Sequence, residues 1–272
     1  MIREAIQSLL TPCPWFLRRM GYAREQAGIS GRLARNKAAW APHQAATREA
    51  ILAAAALCQG RRTAVLLGAG LLYDVPLAEL TRFFDRVVLA DLLHTPWPWR
   101  IPRLKAERVR YDCTGALDAL WRAGGAMGEE EAIHLFQTAQ PPPLPEADTC
   151  DLVVSVNLAS QLGSLPADWL CAKRPRSPGF SAQLRIAAAA RHVGWLRGLS
   201  GVRCLVADRT MIVRERDGTE SEREPLLDES GLGPPERAWT WNLAPIPEWC
   251  HEHHLEHEVG AWIFPPAHAG DA

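Results

Sequence analysis

Short apolar runs alternate with stretches of helical periodicity along most of this chain. The runs are rich in leucine and β-branched residues and predict strands at residues 63–68, 86–91, 108–112, 151–157 and 202–208. Segments with apolar residues at helical spacing predict helices at residues 38–59, 76–83, 115–123 and 181–199. This alternation predicts an α/β fold with a doubly wound, Rossmann-like, mostly parallel sheet.

The two ends of the chain have a different pattern. Asp217 and Gly218 indicate a hairpin turn, and residues 239–243 and 259–264 alternate as antiparallel strands do. We therefore expect antiparallel C-terminal strands at one edge of the sheet. We also expect an N-terminal helical arm over residues 1–60, followed by a main domain over residues 61–272. Asp74 is a candidate N-cap for the helix that includes Pro76.

The amino-acid composition limits the classes of protein to which this chain can belong. The chain has 272 residues, of which 47% are hydrophobic and 22% charged, as in ordinary globular proteins. Pro12 and Pro14 interrupt the N-terminal apolar stretch, and no run reaches the roughly 20 apolar residues of a membrane span. We expect a cytoplasmic protein without a membrane partner. The seven cysteines form no CxxC pair, and no nucleic-acid-binding motif is present, so we expect neither disulfides nor a nucleic-acid partner.

Charge is distributed unevenly. Residues 1–62 contain ten arginines or lysines and three glutamates, whereas residues 217–272 contain twelve acids and two arginines. Such asymmetry is compatible with an anion-binding arm, but we favour packing of the basic helices near the acidic C-terminal part.

Polar and glycine residues follow the first four predicted strands. In open α/β sheets, ligands bind where the carboxyl ends of strands meet a change in strand order. Gly68 and Gly70 permit a sharp turn, and Asp91 follows Gly70 by 21 positions, near the interval at which an acid reaches ribose hydroxyls. Asp112 is a candidate acceptor for an adenine amine, with a helix cap as the alternative, and Asn157 ends the fourth strand.

The glycine pattern disfavours a dinucleotide. The third glycine of GxGxxG is replaced by Tyr73, whose ring occupies a position where a pyrophosphate requires close packing. A nucleoside ligand without phosphates fits better, and S-adenosylmethionine (SAM) is one.

At these residues the sequence resembles the class I SAM-dependent methyltransferase superfamily over about residues 60–264. The resemblance is carried by VLLGAG at 65–70, VVLAD at 87–91, YDCTG at 111–115, DLVVSVN at 151–157 and the terminal strand pair. It implies SAM as cofactor and methyl transfer to an unidentified small-molecule or protein acceptor. The cofactor residues to which it points are Gly68, Ala69, Gly70, Asp91, Leu92, Asp112, Cys113 and Asn157. Leu66 stands where many members have an acid, and SVNLASQL replaces an NPPY-like substrate motif, so the substrate class stays open.

Two other functions remain open, and no catalytic residue is identified. One is a non-catalytic SAM- or nucleoside-binding partner subunit, which the missing substrate motif favours. The other is a nicotinamide-dependent oxidoreductase, which Tyr73 disfavours.

Three further groups of residues are candidates for chemistry. The segment CHEHHLEH at 250–257 has a spacing compatible with zinc or iron, but we favour a solvated histidine-rich connector, with one histidine as a possible general base. Trp97 and Trp99 are candidates for stacking on adenine or for covering the pocket, with ordinary packing as the favoured alternative. Lys37, Trp40 and His43 share a helix face that either closes over the substrate or packs on the sheet.

Overall fold

The computed structural model describes residues 2–94, 106–144, 146 and 150–266. Trp97 and Trp99 lie outside the described residues. Within these limits the chain forms a mixed sheet with helices on both faces.

Among the described residues, eight strands form the sheet. They are β1 Thr63–Leu67, β2 Arg86–Asp91, β3 Ala106–Arg110, β4 Cys150–Val156, β5 Val202–Glu215, β6 Glu220–Pro225, β7 Arg237–Ala244 and β8 His253–Phe264. Their order is β3-β2-β1-β4-β5-β8-β7, with β6 paired to the distal half of β5. The first five strands are parallel, whereas β6, β7 and β8 pair antiparallel. The predicted mostly parallel α/β sheet with antiparallel C-terminal strands is confirmed, and its topology is compatible with a Rossmann-like fold.

Nine α-helices are described around this sheet. They are α1 Ile2–Leu10, α2 Trp15–Arg19, α3 Tyr22–Arg35, α4 Lys37–Ala56, α5 Leu77–Phe83, α6 Leu117–Ala123, α7 Glu129–Thr138, α8 Ser164–Lys173 and α9 Phe180–Arg197.

The central strands are apolar throughout because both of their faces are covered. In β1 the side chains of Val65 and Leu67 pack with helices α6 to α9, while those of Ala64 and Leu66 pack with α4 and α5. Successive side chains of a strand point to opposite faces, so a continuous apolar run is required in a doubly covered parallel strand.

Several predicted boundaries were wrong. Asp112 follows β3 by two residues instead of ending it. Asp74 does not cap α5, whose N-cap is Pro76, and the Asp74 carboxylate instead accepts a hydrogen bond from Asn157. The long fifth strand β5 continues beyond the predicted residues 202–208, because its distal half pairs with both β6 and β8. The hairpin turn at Gly218, with a φ of 89°, is confirmed.

Helices α7 and α8 were not predicted, and α1, α2 and α3 were predicted only as part of the helical arm over residues 1–60. The three glutamates at the start of α7 fit its N-terminus, where the helix dipole favours acids, and Glu131 accepts a hydrogen bond from the Gly128 backbone N–H at 3.1 Å. Helix α8 buries Pro166, Trp169 and Leu170 on one face, but the exposed Cys171 and Ala172 are also apolar, so its sequence shows little contrast between faces.

The N-terminal helices pack near the C-terminal strands, as the charge distribution indicated. Arg35 makes a two-pronged ion pair with Glu248 through distances of 2.7 and 2.8 Å. The Trp40 indole N–H donates to the Leu243 carbonyl at 2.9 Å, which fixes α4 against β7. In the part of the chain that the structure describes, every helix is too short or too polar to cross a bilayer.

Candidate functional site

A cavity of about 510 Å³ opens where the strand order changes between β1 and β4, beside the carboxyl ends of the parallel strands. Its volume falls within the roughly 300–1,000 Å³ that is usual for ligand pockets. The cavity has two ends with different walls. We call the β2 end the part lined by Tyr22, Gln26, Gly68, Gly70, Asp91, Leu92, Asp112 and Cys113. We call the β5 end the part lined by Trp40, His43, Asp74, Asn157, Ser160, Asp208, Trp241 and His257.

The glycine turn after β1 has no room for side chains. Gly68 has a φ of 81°, a conformation that favours glycine, and a Cβ there would lie 2.8 Å from the Val156 carbonyl oxygen. A Cβ on Gly70 would lie 2.4 Å from the Leu93 carbonyl oxygen and 2.9 Å from Asp91 Oδ2. The packing of the turn therefore requires both glycines, before any ligand is considered.

Asp91 ends β2 and is held by the main chain. Its Oδ2 accepts a hydrogen bond from the Gly70 N–H at 2.8 Å, and its Oδ1 accepts one from the Leu93 N–H at 3.2 Å. Burial raises the pKa of the Asp91 carboxyl, an effect that these backbone donors and His94 only partly oppose. Each carboxylate oxygen can accept about two hydrogen bonds, so both retain capacity for a hydroxyl in the cavity.

The Asp112 carboxylate accepts more hydrogen bonds from neighbouring groups than the Asp91 carboxylate does. Its Oδ1 accepts from the N–H and the hydroxyl of Thr114 at 2.9 and 2.6 Å, and its Oδ2 accepts from the Leu117 N–H at 3.2 Å. The carboxylate therefore stabilises the start of α6, which was the alternative interpretation of this residue, while it also lines the cavity.

The remaining sequence-predicted residues of the β2 end differ in their placement. Leu92 and Cys113 lie on the cavity wall. The Cys113 side chain is buried, and burial raises the pKa of its thiol. Ala69 is 1% exposed and belongs to the core that faces α4 and α5, so its side chain points away from the cavity wall.

Helix α3 covers the β2 end, which the sequence did not indicate. The Gln26 amide donates to the Leu93 carbonyl at 3.0 Å, and this bond ties α3 to the loop after β2. Tyr22 lies on the same wall, and burial together with the negative charges of Asp112 and Asp91 raises the pKa of its phenol.

At the β5 end, Asn157 connects three segments of the chain. Its backbone is left-handed, with a φ of 47°, and its N–H donates to the Val206 carbonyl at 2.8 Å. Its Nδ2 donates to Asp74 and lies 3.1 Å from His43 Nε2. The Trp239 indole N–H donates to His43 Nδ1 at 3.1 Å, and burial lowers the pKa of His43, so this imidazole is neutral at pH 7.

Asp208 and His257 form a second polar pair at this end. Asp208 is 1% exposed, and its Oδ2 accepts a hydrogen bond from the Ser160 hydroxyl at 2.9 Å and lies 3.4 Å from His257 Nδ1. Burial by itself raises the pKa of Asp208, but His257, His43 and the Ser160 hydroxyl outweigh it and hold that pKa below its usual range. The carboxylate is therefore ionised at neutral pH.

Aromatic rings enclose the same end. Trp241 stacks on His43 with a centroid distance of 3.9 Å and an interplanar angle of 9°. It also makes edge contacts with Trp40 at 5.0 Å and with His257 at 6.1 Å. The face shared by Trp40 and His43 thus both packs on the sheet and reaches the cavity, whereas Lys37 is exposed.

The expected histidine-rich connector was wrong. His253 and His257 lie within β8, because this segment completes the ladder with β5 and β7. His257 contacts Asp208 in the cavity, while His253 lies 3.3 Å from the Cys250 thiol and 3.2 Å from the Glu215 carboxylate. Among the described residues, no group of three or more histidine, cysteine or acidic side chains is arranged to hold a metal ion.

The structure therefore brings seven of the eight sequence-predicted residues to one cavity, with Ala69 as the exception. The sequence missed Tyr22, Gln26 and Asp208. Asp208 had a usable indication, because it is the last residue of the predicted strand 202–208 and thus obeys the rule that selected Asp91. Tyr22 and Gln26 had none, since the packing of the N-terminal arm over the β2 end was not predicted.

Comparison of the chain with known protein families and with curated proteins found no match to either.

Proposed function

We propose that this protein is a SAM-dependent methyltransferase that binds the cofactor at the β2 end of the cavity. The observation that carries the proposal is the Asp91 carboxylate, which the Gly70 turn holds on the cavity wall at the end of β2. A carboxylate in this place, with unused acceptor capacity on both oxygens, suits the vicinal hydroxyls of a ribose.

The other walls of the β2 end fit a nucleoside. Leu92 and Cys113 supply an apolar surface for a flat base, and Tyr22 supplies an aromatic ring. Asp112 has three donors already, so it is a weaker candidate than Asp91 for contact with the ligand. The antiparallel pair of β7 and β8 beside β5 agrees with the resemblance of the terminal strands to those of methyltransferases.

The cavity is poorly suited to a pyrophosphate, which counts against a nicotinamide cofactor. Helix α5 begins only at Leu77 and has seven residues, so no helix N-terminus follows the glycine turn directly. Arg32 and Arg185 are the only arginines or lysines among the described residues of the wall, and both form ion pairs, with Glu25 and Glu224 respectively. A phosphate group would therefore meet no uncommitted positive side chain there.

Bound SAM supplies an electrophilic methyl group on a sulfonium. The protein would hold the nucleoside through Asp91 and the glycine turn, direct the methyl group toward the β5 end, and exclude water from the path of transfer. Alignment of the acceptor, the methyl carbon and the sulfur in a closed site supplies much of the rate enhancement of such a reaction.

Calorimetric titration with S-adenosylhomocysteine, the product form of the cofactor, tests the proposal. We expect the native protein to bind it and Asp91→Ala to bind it at least about tenfold more weakly, because the ribose loses its acceptor. Asp118→Ala is the matched control, since Asp118 is an exposed aspartate on the surface of α6, and it should bind like the native protein.

The titration also separates the alternatives. Absence of S-adenosylhomocysteine binding by the native protein, or tighter binding of NAD(P), would overturn the proposal. Binding without transfer of a labelled methyl group to any fraction of a cell extract would leave a cofactor-binding subunit as the function.

A further inference from the structure

The β5 end contains buried acceptor atoms without a donor. Asp208 Oδ1 and Asn157 Oδ1 have no hydrogen-bond partner among the described residues, although both side chains lie on the cavity wall. An undersatisfied carboxylate that is 1% exposed is costly, and a ligand that brings N–H donors removes this cost.

The charged side chains at the β5 end favour a cationic ligand over an anionic one. Asp74 and Asp208 lie near one another around His43, which is 3.9 Å from Asp74 and is neutral. The two arginines of the wall are paired with glutamates elsewhere on it. Among the described side chains, the cationic partners of these two carboxylates are imidazoles, so this end attracts a cation and disfavours a carboxylate or phosphate ligand.

The aromatic wall fits the same ligand. Trp241 lines the cavity beside His43 and His257, and it makes a T-shaped contact with Trp40. An ammonium group is stabilised over an indole face as well as by carboxylates, and the gain is larger when water is excluded. The Trp241 indole N–H has no acceptor among the described residues, but a neutral donor without a partner costs less than a charged acceptor without one.

We propose that the β5 end binds the methyl acceptor as a protonated primary amine, that Asp208 receives its N–H groups, and that His257 removes its proton. This proposal rests on the proposed methyl transfer at the β2 end. His257 is placed for the task because its Nδ1 lies 3.4 Å from Asp208 Oδ2, so the carboxylate stabilises the imidazolium that forms.

The reaction balances without a further reagent. The ammonium passes one proton to the imidazole of His257, and the freed nitrogen lone pair forms a bond to the methyl carbon. The carbon–sulfur bond breaks, its electron pair goes to sulfur, and the sulfonium becomes a neutral thioether. The product is a methylated ammonium, and the proton on His257 returns to solvent when the site opens.

Three ligands of similar shape test the charge preference on the native protein. Phenethylamine, 2-phenylethanol and 3-phenylpropanoate present an ammonium, a hydroxyl and a carboxylate on comparable aromatic chains. In the presence of S-adenosylhomocysteine, we expect phenethylamine to bind at least about tenfold more tightly than the alcohol and the carboxylate to bind least. No amine binding, or stronger binding of the carboxylate, overturns the proposal.

Variants then test the residues. Asp208→Asn should weaken phenethylamine binding at least about tenfold and leave the affinity for S-adenosylhomocysteine unchanged. If Asp208→Asn does not fold, Asp74→Asn at the half-buried rim of the same end serves in its place with the same expected direction. Unchanged amine affinity in the folded variant contradicts the role of the carboxylate.

A pH profile of labelled methyl transfer to phenethylamine tests His257. The charged and titratable groups that the structure places near this imidazole are Asp208 on β5 and His43 on α4. His257→Gln should keep amine binding, lower kcat at least about tenfold and alter the pH dependence of the rate. An unchanged kcat and profile overturn the assignment of the base.

S-adenosylhomocysteine binding in the same samples distinguishes the two proposals. If it binds and the amine does not, only the acceptor proposal fails. If it does not bind, the proposed function fails first.

Discussion

The two ends of the cavity are built in different ways. At the β2 end, Gly70 and Asp91 are 21 positions apart, and the Gly70 backbone N–H donates a hydrogen bond to the Asp91 carboxylate where the adjacent strands β1 and β2 end. At the β5 end, Asn157 and His43 are 114 positions apart and meet only through side chains. The main chain of one βα turn thus holds the Asp91 carboxylate at the first end, whereas packing of α4, β5, β7 and β8 positions the side chains of the second. We expect changes at the two ends to have separable effects on cofactor binding and on stability.

The largest effect is expected at the glycine turn. Gly70→Ala forces a Cβ to 2.4 Å from the Leu93 carbonyl oxygen, so we expect about 3 kcal/mol of destabilisation and loss of S-adenosylhomocysteine binding. Urea unfolding and calorimetry measure the two quantities. Gly194→Ala in α9 is the control, because its Cβ meets open space and should be neutral or slightly stabilising. Equal behaviour of the two variants would contradict the packing argument.

The second-largest effect is expected for His43 at the β5 end, and it distinguishes the two ends of the cavity most directly. His43→Ala removes a side chain that is 2% exposed, stacked on Trp241 and hydrogen-bonded by Trp239, and should cost about 2 kcal/mol of folding free energy. We expect its affinity for S-adenosylhomocysteine to stay within about threefold of the native value. His134→Ala, at an exposed site on α7, should change neither quantity. A large loss of cofactor affinity in His43→Ala would show that the ends are not separable.

Cofactor affinity should depend on pH through Asp91. Because burial raises the pKa of this carboxyl, the ribose acceptor is lost at a higher pH than for an ordinary aspartate. As pH falls through that pKa, affinity should fall by at most about tenfold per pH unit, the limit for one proton. Calorimetry between about pH 8 and about pH 5 measures this, and Asp91→Asn should bind weakly without the dependence. A native affinity that rises on acidification would contradict the assignment.

The raised pKa of Asp91 also makes the folding free energy depend on pH. The folded-state pKa of Asp91 lies above the unfolded value, so the folded state binds the proton more tightly. Protonation of Asp91 therefore favours the fold, and this contribution is lost as pH rises through the folded-state pKa. Asp208 has the opposite sign, because its lowered pKa gives a contribution that is present at neutral pH and lost in acid.

The smallest expected effect is on the reactivity of the Cys250 thiol. This thiol contacts His253, whereas the other histidine of β8 considered above, His257, contacts Asp208. The backbone N–H groups of Glu252 and His253 donate to the Cys250 thiol at 3.5 and 3.1 Å, and these bonds, with the imidazole of His253, lower the pKa of that thiol. At neutral pH, iodoacetamide should alkylate Cys250 a few-fold faster than the exposed Cys171, as followed by peptide mass spectrometry. His253→Ala should slow the reaction of Cys250, and His257→Ala should not. Equal rates at both cysteines would refute the pKa argument.

Sequence patterns predicted the elements that obey short-range rules and missed those that depend on context. The central parallel strands were predicted nearly to the residue because burial on two faces demands a continuous apolar run. Helix α3 lies within the predicted N-terminal helical arm, but its position over the β2 end was not predicted, since that position depends on long-range contacts such as the Gln26–Leu93 hydrogen bond. Asp112 was assigned to the end of β3, but the turn that it stabilises lies beyond the strand.

The sequence by itself determined the order of the five parallel strands along the chain, the glycine turn and the position of Asp91 relative to it. These features depend on periodicity and on one local connection, which a linear pattern records. Only the tertiary structure decided that Asp208, His257, His43 and Asn157 share one cavity and that Ala69 faces the core. The reason is physical: side chains more than a hundred positions apart meet only after the sheet has set its register and α4 has packed on it, and no local pattern encodes that distance.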